Sequence, residues 1–357
     1  MSENVKDISM KEEKDLIKKM ILMVNPGDCR EIRETLNMTE KGTVKNSMEN
    51  YVTVLRKDPL LVGSLRYNRL TEKIDVTKVL WWNKEPCVLT NKGRKALRYF
   101  FEKYYGLFNE SVMDDALDLE AYSKEYHPIC EYLETLEWDG KERIRNVLKV
   151  YMGADDSDMV YEMLKYFMMG ALNRIYCPGC KFDEMLCLVG QQGAGKSTFF
   201  RFLALDDQWF SDSLKNLNME KPYELLRGHW ILEMSEMTAA ISAKSIEETK
   251  SFLSRMKETH RNPYEKYEED RPRQCVFAGS SNNRQFIPFD RTGARRFLPI
   301  EIDSSKAEKH ILDDEPEARE YFDQLWAEAM VLLNAAENKS ELLRFDSEME
   351  FNINEYR

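Results

Sequence analysis

The segment GQQGAGKS, residues 190–197, constrains this chain more than any other feature. It matches the phosphate-binding pattern GxxxxGK[ST], which requires a strand before it and a helix after it. The apolar run MLCLV (185–189) predicts a short buried strand, and STFFRFL (197–203) predicts the first turns of a helix with one apolar face. The sequence therefore predicts a nucleotide-binding α/β domain.

Every residue of the loop is a candidate contact for the phosphates of ATP. These residues are Gly190, Gln191, Gln192, Gly193, Ala194, Gly195, Lys196, Ser197 and Thr198. The glycines let backbone N–H groups turn inward around a phosphate, and the helix N-terminus adds partial positive charge. Lys196 is expected to reach the β- and γ-phosphates, and Ser197 to ligate Mg²⁺. The predicted cofactors are ATP and Mg²⁺. The alternative is a glycine-rich turn without a ligand.

Composition places the chain among ordinary soluble proteins. Its 357 residues are 43% hydrophobic and 32% charged, with a net charge of −11. No apolar run approaches the roughly 18 residues that a membrane span needs, and the first residues are too charged for a secretory signal. We therefore expect a cytoplasmic protein with no membrane contact.

The seven cysteines are odd in number and scattered, which predicts reduced thiols. The single CxxC, CPGC at 177–180, favours a turn over a zinc or redox site, because Pro178 and Gly179 alone produce a turn.

Residues 41–106 are basic although the whole chain is acidic. They contain 14 Lys and Arg against 6 Asp and Glu. Aromatic residues are interleaved with this charge, namely Tyr51, Tyr67, Trp81, Trp82, Tyr99 and Phe100. The combination is expected where phosphates and bases are both contacted, so this segment is predicted to bind DNA. A solvated basic face is the alternative.

Shifts in composition divide the chain into five predicted segments. Residues 1–40 are helical in pattern, 41–106 form the basic DNA-contacting domain, and 107–175 form an acidic, helix-rich collar or linker. Residues 176–302 alternate short apolar strands with helices, as a parallel α/β nucleotide-binding core requires. Residues 303–357 contain a long amphipathic helical pattern. We find no internal repeats.

Three segments after the loop are consistent with an ATPase that works as a ring. In WILEMSE (230–236), Glu233 ends a predicted strand and Glu236 follows, so one carboxylate is placed for the Mg²⁺ shell and the other for the attacking water. In CVFAGSSNN (275–283), Asn282 follows an apolar strand and is placed beside the γ-phosphate. In RTGARRFLPI (291–300), Arg295 and Arg296 precede another strand, from which a guanidinium could reach a neighbouring subunit's nucleotide.

Eight segments together resemble the virulence-associated protein E (VapE) family, whose ATPase domain is similar to the viral superfamily 3 helicases. They are KNSMEN (45–50) with LRYN (65–68), LEWDGKERI (136–144), PGCKFDEMLCLVGQQGAGKSTFFR (178–201), WILEMSEM (230–237), RNPYEKYEEDRPRQ (261–274), GSSN (279–282) and DRTGARRFLPI (290–300).

The resemblance implies a P-loop NTPase fold with an AAA+-like parallel sheet and flanking helices, preceded by a mainly helical N-terminal region. It also implies a homo-oligomer, a hexamer, that moves DNA and belongs to prophages or phage-inducible islands. By this likeness Glu233 and Glu236 take the acidic role, Asn282 the sensor role, and Arg295 or Arg296 the arginine finger in trans. The family's acidic pair is adjacent, whereas Met234 and Ser235 intervene here, so the division of roles between the glutamates is open.

Two expectations concern the ends of the chain. Only about 40 residues precede the resemblance, too few for a polymerising domain, so we expect no primer synthesis. A C-terminal DNA-binding extension is also expected to be absent, because the chain stops soon after its last long helical pattern.

Residues 261–273 lie where helicases of this kind carry a hairpin that points into the central channel. Arg261, Tyr264 and Lys266 are therefore predicted to contact DNA. The alternative is a surface hairpin, since nearby acidic residues nearly cancel the positive charge.

The sequence thus predicts an ATP-dependent DNA helicase of phage or mobile-island replication. An initiator or loader that binds DNA without unwinding needs the same ATP site and stays open. A P-loop phosphotransferase is a further alternative, which leaves the arginine pair and the basic segment unexplained.

Overall fold

The structure, a computed structural model, describes residues 10–214, 222–235, 243–260, 268–282, 295–338 and 341–356. The chain forms two compact units, Met1–Pro128 and Ile129–Arg357. The border lies inside the segment predicted for residues 107–175.

The first unit combines helices with a small antiparallel sheet. Its elements are α1 (Met10–Met23), α2 (Pro26–Glu34), α3 (Met48–Lys57), β1 (Leu65–Asn68), β2 (Lys73–Val76), β3 (Cys87–Val88), α4 (Asn91–Phe100), a π-helical turn (Phe101–Tyr105) and α5 (Glu110–Tyr122). The strands are ordered β1-β2-β3, and each neighbouring pair is antiparallel. The helical N-terminal region is therefore confirmed, and the sheet is an addition to it.

One hydrophobic core unites the first unit. Met20, Cys29, Ile32 and Leu36 from the first 40 residues pack into the same buried cluster as residues between Val44 and Ala121. Burial of this much apolar surface is the main force that holds such a unit together. Residues 1–40 are thus part of the fold of residues 41–106.

The second unit is built on a parallel sheet. Its elements are α6 (Pro128–Glu134), α7 (Val147–Met152), α8 (Asp158–Tyr176), β4 (Met185–Val189), α9 (Lys196–Leu203), β5 (Phe210–Ser211), α10 (Pro222–Leu226), β6 (Ile231–Met234), α11 (Ala243–Leu253), β7 (Lys257–His260), β8 (Glu269–Pro272), β9 (Val276–Ser281), β10 (Phe297–Glu301), α12 (Glu315–Ala335) and α13 (Ser347–Tyr356). The prediction of an α/β domain with a parallel sheet and flanking helices is confirmed.

Five of these strands form the sheet, in the order β10-β4-β9-β6-β5, with every pair parallel. Val189 at the end of β4 pairs with Ser281 at the end of β9. Met234 at the end of β6 pairs with Gly279 of β9. The loops that leave these strands therefore emerge at one edge of the sheet, where open α/β sheets bind their ligands.

Helices cover the sheet through a core rich in large side chains. The rings of Trp230 and Trp326 lie 4.4 Å apart, and both residues are fully buried. Each indole N–H finds an acceptor, because Trp230 donates to Ala171 O and Trp326 donates to Leu203 O. These contacts attach α8 and α12 to the sheet and fix the start of β6.

Helix α8 shows how local sequence sets an element boundary. Ser157 precedes its first residue, and its hydroxyl accepts a hydrogen bond from Val160 N at 3.2 Å. A serine in this position satisfies a backbone donor that the helix leaves unpaired.

Among the described residues, no helix is both long and apolar enough to cross a membrane.

Candidate nucleotide site

The loop between β4 and α9 has the backbone shape that its glycines predict. Gly195 immediately precedes α9 with a φ of 80°, a conformation that favours glycine. A Cβ on Gly190 would lie 2.5 Å from Ile302 Cγ1, so no larger residue fits there without movement. The first turn of α9 therefore begins directly at Lys196, with its N–H groups at the carboxyl edge of the sheet.

Lys196 is held inside the loop by oxygen atoms. Its Nζ donates to Gly190 O at 2.7 Å, to Gln191 O at 2.8 Å and to Asn282 Oδ1 at 3.3 Å. Burial lowers the pKa of the Lys196 ammonium, and the negative charge of Glu233 opposes that effect. Within the described residues its hydrogen-bond partners are all neutral oxygens, so a bound anion would stabilise this cation.

Ser197 and Glu233 form the second half of the site. The Ser197 hydroxyl donates to Glu233 Oε1 at 2.9 Å. Glu233 is fully buried at 0% exposure, and its Oε2 has no hydrogen-bond partner among the described residues. Burial raises the pKa of the Glu233 carboxyl, and the neighbouring hydroxyls of Ser280 and Ser197 act in the opposite direction.

The residues present fit a magnesium ion. A hydroxyl and a carboxylate with a free buried oxygen are the donors that Mg²⁺ takes from a protein when phosphates and waters supply the rest of its shell. No group of three or more His, Cys, Asp and Glu side chains suitable for a metal occurs in the described ranges. An ion at Ser197 and Glu233 would therefore depend on the nucleotide for its remaining ligands.

Asn282 lies between these two halves. It follows β9, the strand between the loop strand β4 and the acidic strand β6, and its Oδ1 accepts from Lys196 Nζ. The structure thus brings together Lys196, Ser197, Glu233 and Asn282, as their positions after the loop and strands predict.

A cleft of about 500 Å³ opens above these groups. Its lining comes from the loop, from strand ends and from a segment after β10: Gln192, Gly193, Ala194, Gly195, Lys196, Ser197, Thr198, Asp212, Ser235, Ser280, Ser281, Asn282, His310, Ile311 and Leu312. Cavities of this size are typical of small-molecule sites.

Sequence reasoning missed several of these residues. Asp212 follows β5, a strand of only two residues whose hydrophobic pattern is too short to detect. Ser280 and Ser281 can be predicted from the sequence, because they end the apolar strand in CVFAGSSNN (275–283). His310, Ile311 and Leu312 lie in a loop with no motif, and only the tertiary fold brings them to the cleft.

Arg295 and Arg296 lie at the opposite edge of the sheet. They immediately precede β10, whose first residue Phe297 pairs with Met185, the first residue of β4. Gly190 is five residue steps further along β4, roughly 16 Å at ~3.3 Å per residue. Neither arginine therefore lies beside the phosphate loop of its own chain.

The two arginines differ in their surroundings. Arg296 Nε lies 3.1 Å from Asp183 Oδ2, with the two side chains 13% and 10% exposed, and Arg296 also donates to Ser254 Oγ. Arg295 is exposed and lines a separate cleft. Arg296 thus supports its own chain, and Arg295 is the one available to another molecule.

Four predicted site residues lie outside the described part of the chain. They are Glu236, Arg261, Tyr264 and Lys266. The strands on either side of the last three, β7 and β8, pair antiparallel from Lys257 with Pro272 to His260 with Glu269.

The basic segment of residues 41–106 is largely neutralised within its own unit. Helix α5 supplies carboxylates to its arginines: Arg56 pairs with Glu120, Arg94 with Asp114 and Arg98 with Glu110. Residues 1–128 contain 22 Lys and Arg and 21 Asp and Glu. The positive charge of residues 41–106 is therefore almost cancelled over the whole first unit.

Three aromatic residues of the predicted DNA-binding segment are buried, contrary to the prediction that they contact bases. Tyr51, Trp81 and Phe100 are 1%, 2% and 0% exposed, because their rings pack into the core of the first unit. Trp81 and Phe100 stack on each other with centroids 5.0 Å apart. These rings stabilise the fold and are not available to bases, whereas Tyr99 is exposed.

All seven cysteines are free thiols. Cys180 N donates to Cys177 O at 3.0 Å, and Gly179 between them has a φ of 80°. CPGC therefore forms the turn that its proline and glycine predict.

Comparison with known families identifies residues 133–356 as a Virulence-associated protein E-like domain. The chain belongs to this family. The match covers all of the described cleft and both arginines of the opposite edge. No curated protein matches the sequence.

Solved structures to which this chain is similar include three apo structures of the NrS-1 C-terminal region. One is 15% identical with a TM-score of 0.49 and covers 87% of this chain and 75% of the other. A second is 17% identical with a TM-score of 0.46 and covers 82% and 71%. A third is 15% identical with a TM-score of 0.48 and the same two coverages.

Proposed function

We propose that this chain is a magnesium-dependent ATP hydrolase that acts on DNA as a ring-forming helicase. The observation that carries the proposal is the meeting of Lys196, Ser197, Glu233 and Asn282 at the carboxyl edge of the parallel sheet. Each is held by a hydrogen bond to another member or to the phosphate loop.

The proposed chemistry follows from the charges of these groups. Lys196 neutralises the β- and γ-phosphates, where charge increases during phosphoryl transfer. Ser197 and Glu233 would hold Mg²⁺, which supplies further positive charge to the same oxygens. Glu236 would orient the attacking water, since Glu233 is committed to Ser197. Asn282 stays within reach of the γ-phosphate through its contact with Lys196.

A shared active site explains the position of Arg295. It lies at the edge opposite to its own phosphate loop, so it can complete a site only on a neighbouring subunit. Head-to-tail contacts between copies close into rings when the rotation permits, and the family resemblance favours a hexamer. Arginine supplied in trans stabilises charge on the transferred phosphoryl group.

The DNA part of the proposal rests on family membership and on the segment 261–267, in which Arg261, Tyr264 and Lys266 are the candidate contacts. We assign this function to phage, prophage or mobile-island replication on the same basis.

The test is ATP hydrolysis with and without single-stranded DNA, alongside separation of a forked duplex. A helicase gives hydrolysis that DNA stimulates, and strand separation that requires ATP. Absence of hydrolysis under both conditions contradicts the proposal.

One observation favours a second candidate, the initiator or loader. The first unit is nearly neutral, and Tyr51, Trp81 and Phe100 of its basic segment are buried in its core, which makes it a poor non-specific DNA surface and a candidate protein-docking module. DNA-stimulated hydrolysis without strand separation would identify this case.

A further inference from the structure

One side of the nucleotide cleft is formed by residues that phosphate chemistry does not require. His310, Ile311 and Leu312 line the cleft together with the phosphate loop. They follow β10 and lie in the connection to α12. His310 Nδ1 already accepts a hydrogen bond from Leu312 N at 3.2 Å, and Ile311 and Leu312 are aliphatic, so this wall is better suited to an apolar, planar part of the ligand than to a triphosphate.

The backbone holds this wall in place. Lys309 N donates to Val150 O at 3.0 Å, which attaches the segment to α7. His310 N donates to Asp313 Oδ2 at 3.2 Å, and Asp313 N donates back to His310 O at 3.0 Å. Two reciprocal hydrogen bonds between His310 and Asp313 therefore close the segment into a turn.

Ile311 fixes the distance between this turn and the phosphate loop. It is 1% exposed, and its Cγ2 lies 3.4 Å from the position that a Cβ on Gly195 would occupy. His310 and Leu312, on either side of it, have 55% and 48% of their surfaces exposed. The buried residue anchors the turn beside the start of α9, and its two neighbours stay accessible.

We infer that His310 and Leu312 form the nucleobase subsite of the cleft. A planar base gains free energy by stacking on an aromatic ring and by covering exposed apolar surface, and these two side chains offer one of each. The inference rests on the proposed nucleotide-binding function and adds to it the segment that recognises the base.

The experiment compares ATP with inorganic tripolyphosphate, which has the phosphates but no base. Both affinities are measured by calorimetry for the wild type and for His310→Ala, Leu312→Ala and His310→Phe. Ser304→Ala is the matched control, because Ser304 is exposed in the same connection and does not line the cleft. Melting temperatures establish that each variant is folded.

The wild type is expected to bind ATP more tightly than tripolyphosphate. His310→Ala should weaken ATP about tenfold and change tripolyphosphate by less than about twofold, the scale of losing one base–ring contact. His310→Phe, which keeps a ring, should retain most of the ATP affinity, and Ser304→Ala should match the wild type.

Three results would overturn the inference. ATP affinity unchanged in both alanine variants excludes a base contact, and an equal loss for ATP and tripolyphosphate places the segment on the phosphates. Equal wild-type affinities for the two ligands exclude any base subsite. A wild type that binds neither ligand instead contradicts the proposed function itself.

Discussion

The hydroxyl of Ser197 donates a 2.9 Å hydrogen bond to Glu233 Oε1, across the strand that separates β4 from β6. This bond joins the start of α9 to the end of the acidic strand. It holds a hydroxyl and a carboxylate together where a metal ion with bound phosphates would lie. The price is a fully buried carboxyl whose Oε2 has no partner in the described part of the chain.

Glu233→Gln should lower the rate of ATP hydrolysis and raise the melting temperature. Gln keeps the size and an acceptor for Ser197 but carries no charge, so ATP hydrolysis should fall about 100-fold. The pKa of Glu233 is raised in the folded state by burial, so its ionisation costs stability as pH rises from the unfolded value through the folded one. The variant should therefore melt at a higher temperature than the wild type without nucleotide, and the difference should be larger at pH 8 than at pH 5.

Thermal melts at both pH values check this prediction. Glu301→Gln is the matched control, since Glu301 ends β10 and is exposed. A melting difference for Glu233→Gln that is independent of pH would mean that the carboxyl is not desolvated as the structure indicates.

Arg295→Ala and Arg296→Ala should have different effects. Arg296 pairs with Asp183 with little exposure, and loss of one partner of a buried pair costs about 3 kcal/mol, which lowers Tm by roughly 6–12 °C for a unit of this size. Arg295→Ala should leave Tm nearly unchanged and reduce kcat by roughly 10³-fold. Differential scanning fluorimetry and steady-state hydrolysis measure the two effects. Equal Tm values for both variants would contradict the assignment.

A mixing experiment tests whether the site is shared between subunits. Lys196→Ala and Arg295→Ala protomers are each expected to be inactive, but a mixed ring contains interfaces that join an intact loop to an intact arginine. Hydrolysis should therefore recover in part after subunit exchange. No recovery in oligomers shown to exchange, or full activity of a monomer, would argue against the shared site.

DNA binding should depend on residues 261–267 more than on the basic segment 41–106. Arg261→Ala with Lys266→Ala should weaken single-stranded DNA binding and reduce the slope of log affinity against log salt by about 1.4, at ~0.7 per phosphate contact. Arg98→Ala is the control, because Arg98 already pairs with Glu102 and Glu110. Fluorescence anisotropy between low and physiological salt gives the slopes. A larger effect from Arg98 would reverse the assignment.

Local sequence patterns predicted the strands and the helix whose ends carry the polar residues of the site. The strand before Gly190, the helix after it and the polar ends of β6 and β9 all follow from short apolar runs that end in polar residues. Parallel strands then bring Lys196, Glu233 and Asn282 to one edge without further information.

Contacts between residues far apart in the chain could not be predicted from the sequence. The sequence shows an excess of positive charge in residues 41–106. It does not show that α5 supplies acidic partners to Arg56, Arg94 and Arg98. It also did not distinguish core rings such as Phe100 from exposed ones. The ion pair of Arg296 with Asp183 joins residues 113 positions apart, and no local pattern records it.

The central claim is that Lys196 belongs to a working ATP site, and the rate of magnesium-dependent ATP hydrolysis tests it most directly. Lys196→Ala removes the cation that contacts Gly190 O, Gln191 O and Asn282 Oδ1, so hydrolysis should fall about 100-fold or more while the protein stays folded. Lys306→Ala, an exposed lysine outside the cleft, should hydrolyse at the wild-type rate. Hydrolysis by Lys196→Ala at a rate close to that of the wild type would contradict the account.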